Sequence, residues 1–518
     1  MKELIVTTRN DAKKLALIFD CYTVEPAGLG VPPYLSTYVR YAYLALEATK
    51  LYTDIRYITI DDFRAATQQG DDQAQALGYT DPLTYSLTTN ASCALDLLAT
   101  ADLVVVIAGD AVPSVHLHAI NGSLDEILLA LSSVRSTCLV LGPAANYLRK
   151  PDHPAHHRFQ AFHLQNIAPH RLFQNNFGPL PYAQLHTFMG PFHALLAQIP
   201  WKVIAEVELY RGCTRNQFCA FCNEPVKNRL VDFRPPEHIL TEIQLLYEAG
   251  VRHFRLGQQA CFFSYYHRDL AKITQLLAGI RERCPLLEVL HIDNVDPLAA
   301  ASPRGKAIAK LVVEYCTEGN CAPMGIETFD QAVVAQNALT CTPDVLLRAI
   351  SHIEEEGAAF GPGGQRKLLA GLNLIYGLPG ETRRTHFENM KWLLTLLEDG
   401  HLCHRTNVRQ VQVYEGTPLE ERVLPHRDSS EEDFRTWKRD IAELYDQPMK
   451  ERVYPKGQVL SGLHVFLVNQ KGSWFRRLGS YPIMVIAADQ VFPRYEQHDL
   501  LVTGHAGRYI YGQVLANE

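Results

Sequence analysis

The chain has 518 residues, too many for one ordinary core, so two to four domains are expected. Its net charge of −7 and isoelectric point near 6.3 exclude a global basic field for nucleic acid or anionic lipid. No apolar run of about 18 residues is present to span a bilayer, and the opening MKELIVTTRNDAKK has no apolar h-region. The twelve cysteines are scattered apart from one group, which suits reduced thiols in a cytoplasmic protein with no membrane partner.

Residues 1–150 alternate short apolar runs with helical patterns. Leu15 to Asp20, Ile55 to Ile60, Leu103 to Ile107 and Cys138 to Leu141 suit a buried parallel sheet. Ser123-Leu-Asp-Glu126 is a capping box that opens a helix. The expected fold is doubly wound α/β, Rossmann-like, with its ligand beyond the carboxyl ends of the strands. Three loops fall there: Glu25 to Tyr34, Ala108 to His116 and Gly142 to His157. Gly28, Gly30 and Gly109 permit close backbone approach to a flat ligand. A nucleotide-type fold without any cofactor is the other reading. No G-x-G-x-x-G follows the first strand, which disfavours NAD and FAD. Residues 151–200, rich in His, Pro and Asn, read as a connection.

From 201 to 430 a second α/β array follows, with strand-like runs at Val203–Leu209, Phe254–Leu256, Val289–Ile292, Met324–Ile326, Leu372–Ile375 and Val408–Tyr414. The first run leads into RGCTRNQFCAFC, which places Cys213, Cys219 and Cys222 within ten residues. Three thiolates can hold three irons of a cubane cluster and leave the fourth open. Phe221, between the last two, could shield such a cluster. Structural zinc and three buried cysteines stay open as readings, although zinc favours four ligands and no second C-x-x-C or H-x-x-x-H appears. Polar motifs recur where the later strands end: Leu256-Gly-Gln-Gln259, His291 to Pro297, Gly325-Ile-Glu-Thr328, Gly377 to Glu381 and Arg409-Gln-Val-Gln412. A single carboxylate in such a place is more often a cap or a surface partner. Recurrence at successive strand ends is what points to a site.

Residues 431–518 begin helical and charged, and from Tyr454 read as all-β, like a small TRAM or OB-type barrel. Arg476, Arg477, Arg508 and Tyr509 could meet RNA or a protein surface, or the domain could merely pack on its neighbour.

Together these motifs resemble the cobalamin-dependent radical S-adenosylmethionine (SAM) methyltransferases over about 400 residues. The cysteine spacing here is C-x5-C-x2-C where that class usually has C-x3-C-x2-C. The resemblance implies an N-terminal cobalamin domain (1–150), a linker (151–200), a partial (β/α)6 radical SAM barrel (201–430) and a C-terminal β-domain. It implies a 4Fe-4S cluster on Cys213, Cys219 and Cys222, and SAM contacts from Phe221, Glu224, Gln258, Gln259, Asp293, Asn294, Glu327, Gly377 and Gln410. Gln258 and Gln259 stand where the class usually has Gly-Gly-Glu, so Glu224 is the candidate to supply the missing charge. Cobalamin, as methylcobalamin, would meet Gly28, Gly30, Val31, Pro32, Gly109, Gly142, Pro143, Ala144 and Asp152. No D-x-H-x-x-G occurs, so no protein histidine is expected on cobalt. The implied reaction is radical C-methylation, fed by an external electron donor. CAFCNEP, LGQQ and HIDNVDP further resemble archaeal members tied to methane metabolism, one of which C-methylates a glutamine of methyl-coenzyme M reductase. A protein substrate, the α subunit of that reductase, is therefore expected, and nucleic acid is disfavoured. Competing readings are methylation or rearrangement of a small molecule or RNA, a methylthiotransferase, and a non-catalytic corrinoid carrier or RNA-binding scaffold. The methylthiotransferase needs a second cysteine triad, but residues 1–200 hold only Cys21, Cys93 and Cys138.

Overall fold

A computed structural model describes residues 14–22, 34–67, 86–109, 121–142, 159–161, 181–414, 416–421 and 431–516. Contacts divide the chain into two units, residues 1–26, 37–111 and 120–201 in one, 27–36, 112–119 and 202–518 in the other.

The first unit is built on a parallel sheet of β1 (Leu15–Asp20), β2 (Asp54–Thr59), β3 (Leu103–Ile107), β4 (Thr137–Leu141) and β5 (Phe159–Ala161), in the order β2-β1-β3-β4-β5. All five residues of β3 are buried, as expected of a central strand covered on both faces. Ser123 and Glu126 form the reciprocal capping box that opens helix Leu124–Leu131. The strand order reverses between β1 and β3, and open α/β sheets leave their ligand crevice at that point. The stretch read as a connection folds into this unit. It contributes β5 and two short helices, Tyr182–His186 and His193–Leu196. Just after the second helix, Gln198 accepts from Tyr57 N at 2.8 Å and from Asn90 Nδ2 at 2.8 Å. Such long-range side-chain bonds leave no periodic signal in sequence.

The second unit contains two parallel three-stranded sheets. One is β10-β9-β6, from β6 (Ile204–Glu208), β9 (His253–Gly257) and β10 (Val289–Ile292). The other is β11-β12-β13, from β11 (Asn320–Glu327), β12 (Leu368–Tyr376) and β13 (Cys403–Gln410). A bridge between Val295 and Met324 joins β10 to β11, so six strands follow one another as an open (β/α)6 barrel. Leu35 pairs in parallel with Ala205 on β6 and brings Tyr34 against Ile204 and Leu478. The short strands β7 (Tyr210–Arg211) and β8 (Asp232–Phe233) pair across the cysteine loop. Helix Glu431–Ile441 packs Phe434 and Trp437 on Tyr376, with ring centroids 5.2 and 5.6 Å away. The tail is a closed five-stranded barrel of β14 (Val459–Asn469), β15 (Gly472–Arg476), β16 (Val485–Ala488), β17 (Gln497–His505) and β18 (Ile510–Val514). Among the described residues, no helix is long and apolar enough to cross a membrane.

The turn between β15 and β16 is built into the larger barrel. Ser480 N donates to His291 Nδ1 at 3.0 Å, so the ring proton sits on Nε2 and is donated to the Glu318 carbonyl at 3.0 Å. His404 Nε2 donates to the Tyr481 carbonyl at 2.7 Å. Burial pushes His404 down to about 4 and His291 to about 3. Both lie below the unfolded value of about 6.5, so on acidification the unfolded chain takes up protons that the folded chain refuses. The stability these rings contribute is complete above about pH 6.5 and is lost as pH falls toward 4. A His404→Gln chain keeps a donor for Tyr481 but has no proton to gain. Its stability should decline less steeply than wild type between those limits, by roughly 1.4 kcal/mol per pH unit. Urea midpoints across that range measure this, and parallel slopes would contradict it.

Candidate active site

The cysteine loop leaves the carboxyl end of β6 through β7. It is held from several sides. Arg211 pairs with Glu208 at 3.0 Å, buried. Glu224 Oε1 accepts from Gly212 N at 2.8 Å and from Asn228 Nδ2 at 2.9 Å, so this carboxylate clamps the two ends of the loop together. Ala220 N donates to the Asn337 carbonyl at 3.0 Å, and Leu419 N donates to the Ala220 carbonyl at 3.0 Å. Asn337 Nδ2 also reaches the Pro379 carbonyl at 2.9 Å, so one buried asparagine ties the cysteine loop to the Gly377–Glu381 turn.

Cys213, Cys219 and Cys222 are half-buried, as is Phe221. Burial pushes the Cys219 thiol up to about 12 and the Cys222 thiol to about 11, and raises Cys213. Such thiols ionise only when positive charge is supplied. Arg215 supplies part of it, with Nη1 at 3.1 Å from Cys219 Sγ. Its fork is fixed by Asp296, Nε to Oδ2 at 2.8 Å and Nη2 to Oδ1 at 2.9 Å. Among the described residues no three His, Cys, Asp or Glu side chains close on a single-ion position. Three half-buried thiols on one loop, with a cation beside one of them, are the donor set a cluster would use.

The strand ends around this loop carry the other predicted residues. Gln258 and Glu327 are non-glycine residues with φ of 57° and 59°, left-handed positions at the ends of β9 and β11. Such strain persists where surrounding structure enforces it, often at functional sites. Gln258 Nε2 donates to Glu206 Oε2 at 3.2 Å. Gln259 Nε2 donates to the Leu256 carbonyl at 3.0 Å, while its Oε1 is buried without a donor among the described residues. An orphaned buried acceptor fits a ligand that donates, such as the ammonium of SAM. Glu327 bends back at a bulge, and a Cβ at Gly325 would collide with its carboxylate. Burial pushes Glu327 up to about 7 against the pull of Arg215 and Arg409. Gly377 N donates to Glu381 Oε2 at 2.6 Å, closing the turn after β12. Gln410 ends β13 opposite Tyr376, half-buried. Asn294 is half-buried, and its carbonyl accepts from Phe262 N at 2.7 Å. Asp293 is fully buried, paired with Arg255 and accepting from the Tyr481 hydroxyl at 2.8 Å. Glu224 and Asp293 thus already hold protein partners, whereas Gln259 and Glu327 present polar atoms to the strand ends. Arg215, Asp296, Asn337, Glu206 and Arg255 were not singled out in the sequence. Arg215 lies inside the cysteine motif and Asp296 inside the His291 to Pro297 run, so these two were open to notice.

In the first unit, Gly109 and Gly142 follow β3 and β4. Gly142 has φ 93°, and a Cβ there would run into the Ala108 carbonyl. Glycine at 142 is therefore required by the close packing of the end of β4 on the end of β3. Asp20 ends β1, bound by the Tyr57 hydroxyl at 2.9 Å and Tyr22 N at 3.0 Å, and burial raises it to about 7. Gly28, Gly30, Val31, Pro32, Pro143, Ala144 and Asp152 lie outside the described residues.

Over 96% of its length the chain is 32% identical to the uncharacterized protein MJ0274 of Methanocaldococcus jannaschii, covering 93% of that protein. No protein-family model matches. TsrM, a radical S-adenosylmethionine methyltransferase of Kitasatospora setae solved with cobalamin and a 4Fe-4S cluster, aligns with a TM-score of 0.50 at 13% identity, over 79% of this chain and 74% of TsrM. OxsB, a cobalamin-dependent S-adenosylmethionine radical enzyme solved with aqua-cobalamin and S-adenosylmethionine, aligns at 0.51 and 10% identity, over 84% of this chain and 62% of OxsB. At these identities the likeness is one of fold.

Proposed function

The chain belongs to the family of MJ0274, and from its site we propose a cobalamin-dependent radical SAM methyltransferase of the cytoplasm that C-methylates an unactivated carbon of a protein. The observation that carries this reading is the thiol loop itself. It presents three cysteines, with Glu327 near Cys219, at the strand ends of a barrel whose fold is that of TsrM and OxsB, and Gln259 follows the next strand. When bound, the cluster, SAM and methylcobalamin supply the electron, the radical source and the methyl group.

The chain's own residues bind and orient. Cys213, Cys219 and Cys222 hold the irons, while Arg215 offsets thiolate charge and links the loop to Asp296. Gln259 receives the ammonium of SAM. Glu327, poised near neutrality, accepts or donates a hydrogen bond there without committing a full charge to a dry pocket. The corrin would be held beyond the carboxyl ends of β3 and β4, where Gly109 and Gly142 stand.

A glutamine of the α subunit of methyl-coenzyme M reductase is the target this reading favours, on the resemblance of the CAFCNEP, LGQQ and HIDNVDP runs. A small-molecule acceptor is the second reading. It is favoured by the turn of the C-terminal barrel that is spent inside the larger barrel instead of facing a partner. Anaerobic reconstitution with iron, sulfide and cobalamin, followed by SAM, a reductant and a glutamine-bearing reductase peptide, tests the proposal by mass spectrometry. A gain of one methyl on that glutamine is expected. A chain that takes up neither cluster nor corrinoid overturns the function, and an unmodified peptide with SAM still cleaved overturns the substrate.

A further inference from the structure

The Gln258 side chain is at one end of a line of buried contacts whose other end is in the C-terminal barrel. Glu206 Oε2 accepts from Gln258 Nε2 at 3.2 Å. Glu206 Oε1 lies 2.9 Å from Arg255 Nη1. Arg255 Nη2 pairs with Asp293 Oδ2 and donates to the Tyr481 hydroxyl at 3.2 Å. That hydroxyl donates in turn to Asp293 Oδ1 at 2.8 Å. Glu206, Arg255 and Asp293 are each 3% exposed or less. The Tyr481 ring also faces two guanidinium groups, with Arg255 Cζ 5.5 Å and Arg405 Cζ 4.8 Å from its centroid.

Tyr481 does not drift into this place. Its φ is 51°, a left-handed value for a bulky residue, held by the neighbouring bonds of Ser480 to His291 and of the Tyr481 carbonyl to His404. Arg477, four residues earlier, pairs with Glu318, whose carboxylate also accepts from Gly363 N at 2.7 Å. The turn is therefore pinned to β10, β13 and the segment before β12.

An ionised carboxylate only accepts hydrogen bonds. Glu206 therefore turns the nitrogen of the Gln258 amide toward itself and the carbonyl away. Arg255 holds Glu206 with one arm while Asp293 and Tyr481 fix the other. We infer that Tyr481 is a positioning residue for the SAM-facing turn. It acts through Arg255 and Glu206 to fix which way the Gln258 carbonyl points, so the C-terminal barrel is a working part of the active barrel. This rests on the proposed function only in naming SAM as the ligand.

The test uses the full chain, reconstituted anaerobically. Tyr481→Phe keeps the ring over both arginines and removes one hydroxyl. Iron content should stay near wild type and the unfolding midpoint should fall only modestly, while SAM affinity by equilibrium dialysis falls about tenfold, the loss expected when a charge-assisted hydrogen bond in the line is removed. Glu206→Gln should weaken SAM binding similarly. The double exchange Glu206→Gln with Gln258→Glu rebuilds an amide–carboxylate pair with the roles reversed, and should recover most of the loss. That recovery would show that the pairing of residues 206 and 258, and not the fold alone, sets the SAM affinity through which Tyr481 is read. SAM affinity unchanged in Tyr481→Phe, or a double exchange no better than its parts, overturns the inference with the function intact. A wild-type chain that binds no SAM overturns the function and the inference with it.

Discussion

A Cys219→Ala chain is expected to fold like wild type, to lose iron, and to cleave SAM at the background rate, a loss on the order of a thousandfold or more, or about 4 kcal/mol of barrier. The fold should survive because nothing else in the loop hangs on this sulfur. The turn is closed by Cys222 N donating to the Cys219 carbonyl at 3.1 Å, and the loop is anchored on both sides of Ala220. Only Arg215 loses a partner, and it keeps both bonds to Asp296. The chemistry should not survive, because two thiolates cannot replace three in a loop where burial already raises every thiol. Iron analysis, unfolding midpoint and 5′-deoxyadenosine yield measure the three parts. Wild-type SAM cleavage from this variant would return the chain to the class of non-catalytic corrinoid carriers.

The strands and their ends were legible because their signals are local. Leu103–Ile107 is an uninterrupted apolar run and became the fully buried β3 with the same bounds. Ser123 and Glu126 are three residues apart and form the capping box that spacing implies. The apolar pattern after Tyr454 closed into five strands. The buried charge line was illegible for the opposite reason. Arg255 meets Glu206, Asp293 and Tyr481, partners 38 to 226 residues distant in pairs such as Arg255 with Tyr481 and Asp293. No spacing rule links residues brought together only when a partial barrel closes around another domain's turn. Glu224 shows the same limit at short range. Its closeness to the cysteines suggested charge for SAM, and spacing gave no sign that its Oε1 also accepts from Gly212 and Asn228. Gln258 and Glu327 stood out as polar residues at strand ends, but their left-handed backbones could not be read from side-chain type.

Arg255→Met should be the most destabilising single change in the second unit's interior, costing about 3–5 kcal/mol. The guanidinium stands between two carboxylates, Glu206 and Asp293, each 1% exposed. Methionine matches much of its length, so the penalty is not a cavity. It comes from leaving two anions in the interior without the guanidinium that faces both, although the Tyr481 hydroxyl and the Gln258 amide still donate to them. The Tyr34 ring, with its centroid 4.9 Å from the guanidinium carbon, loses its cation as well. A charge-conserving exchange identifies the cause. Arg255→Lys should fall between Arg255→Met and wild type, since an ammonium keeps the charge but lacks the planar fork that reaches both acids and the tyrosine. Chemical denaturation of the three chains at pH 8 decides it. Equal stability of Arg255→Met and wild type at pH 8 would mean that the charge line does not tie the C-terminal barrel to the strand ends at all.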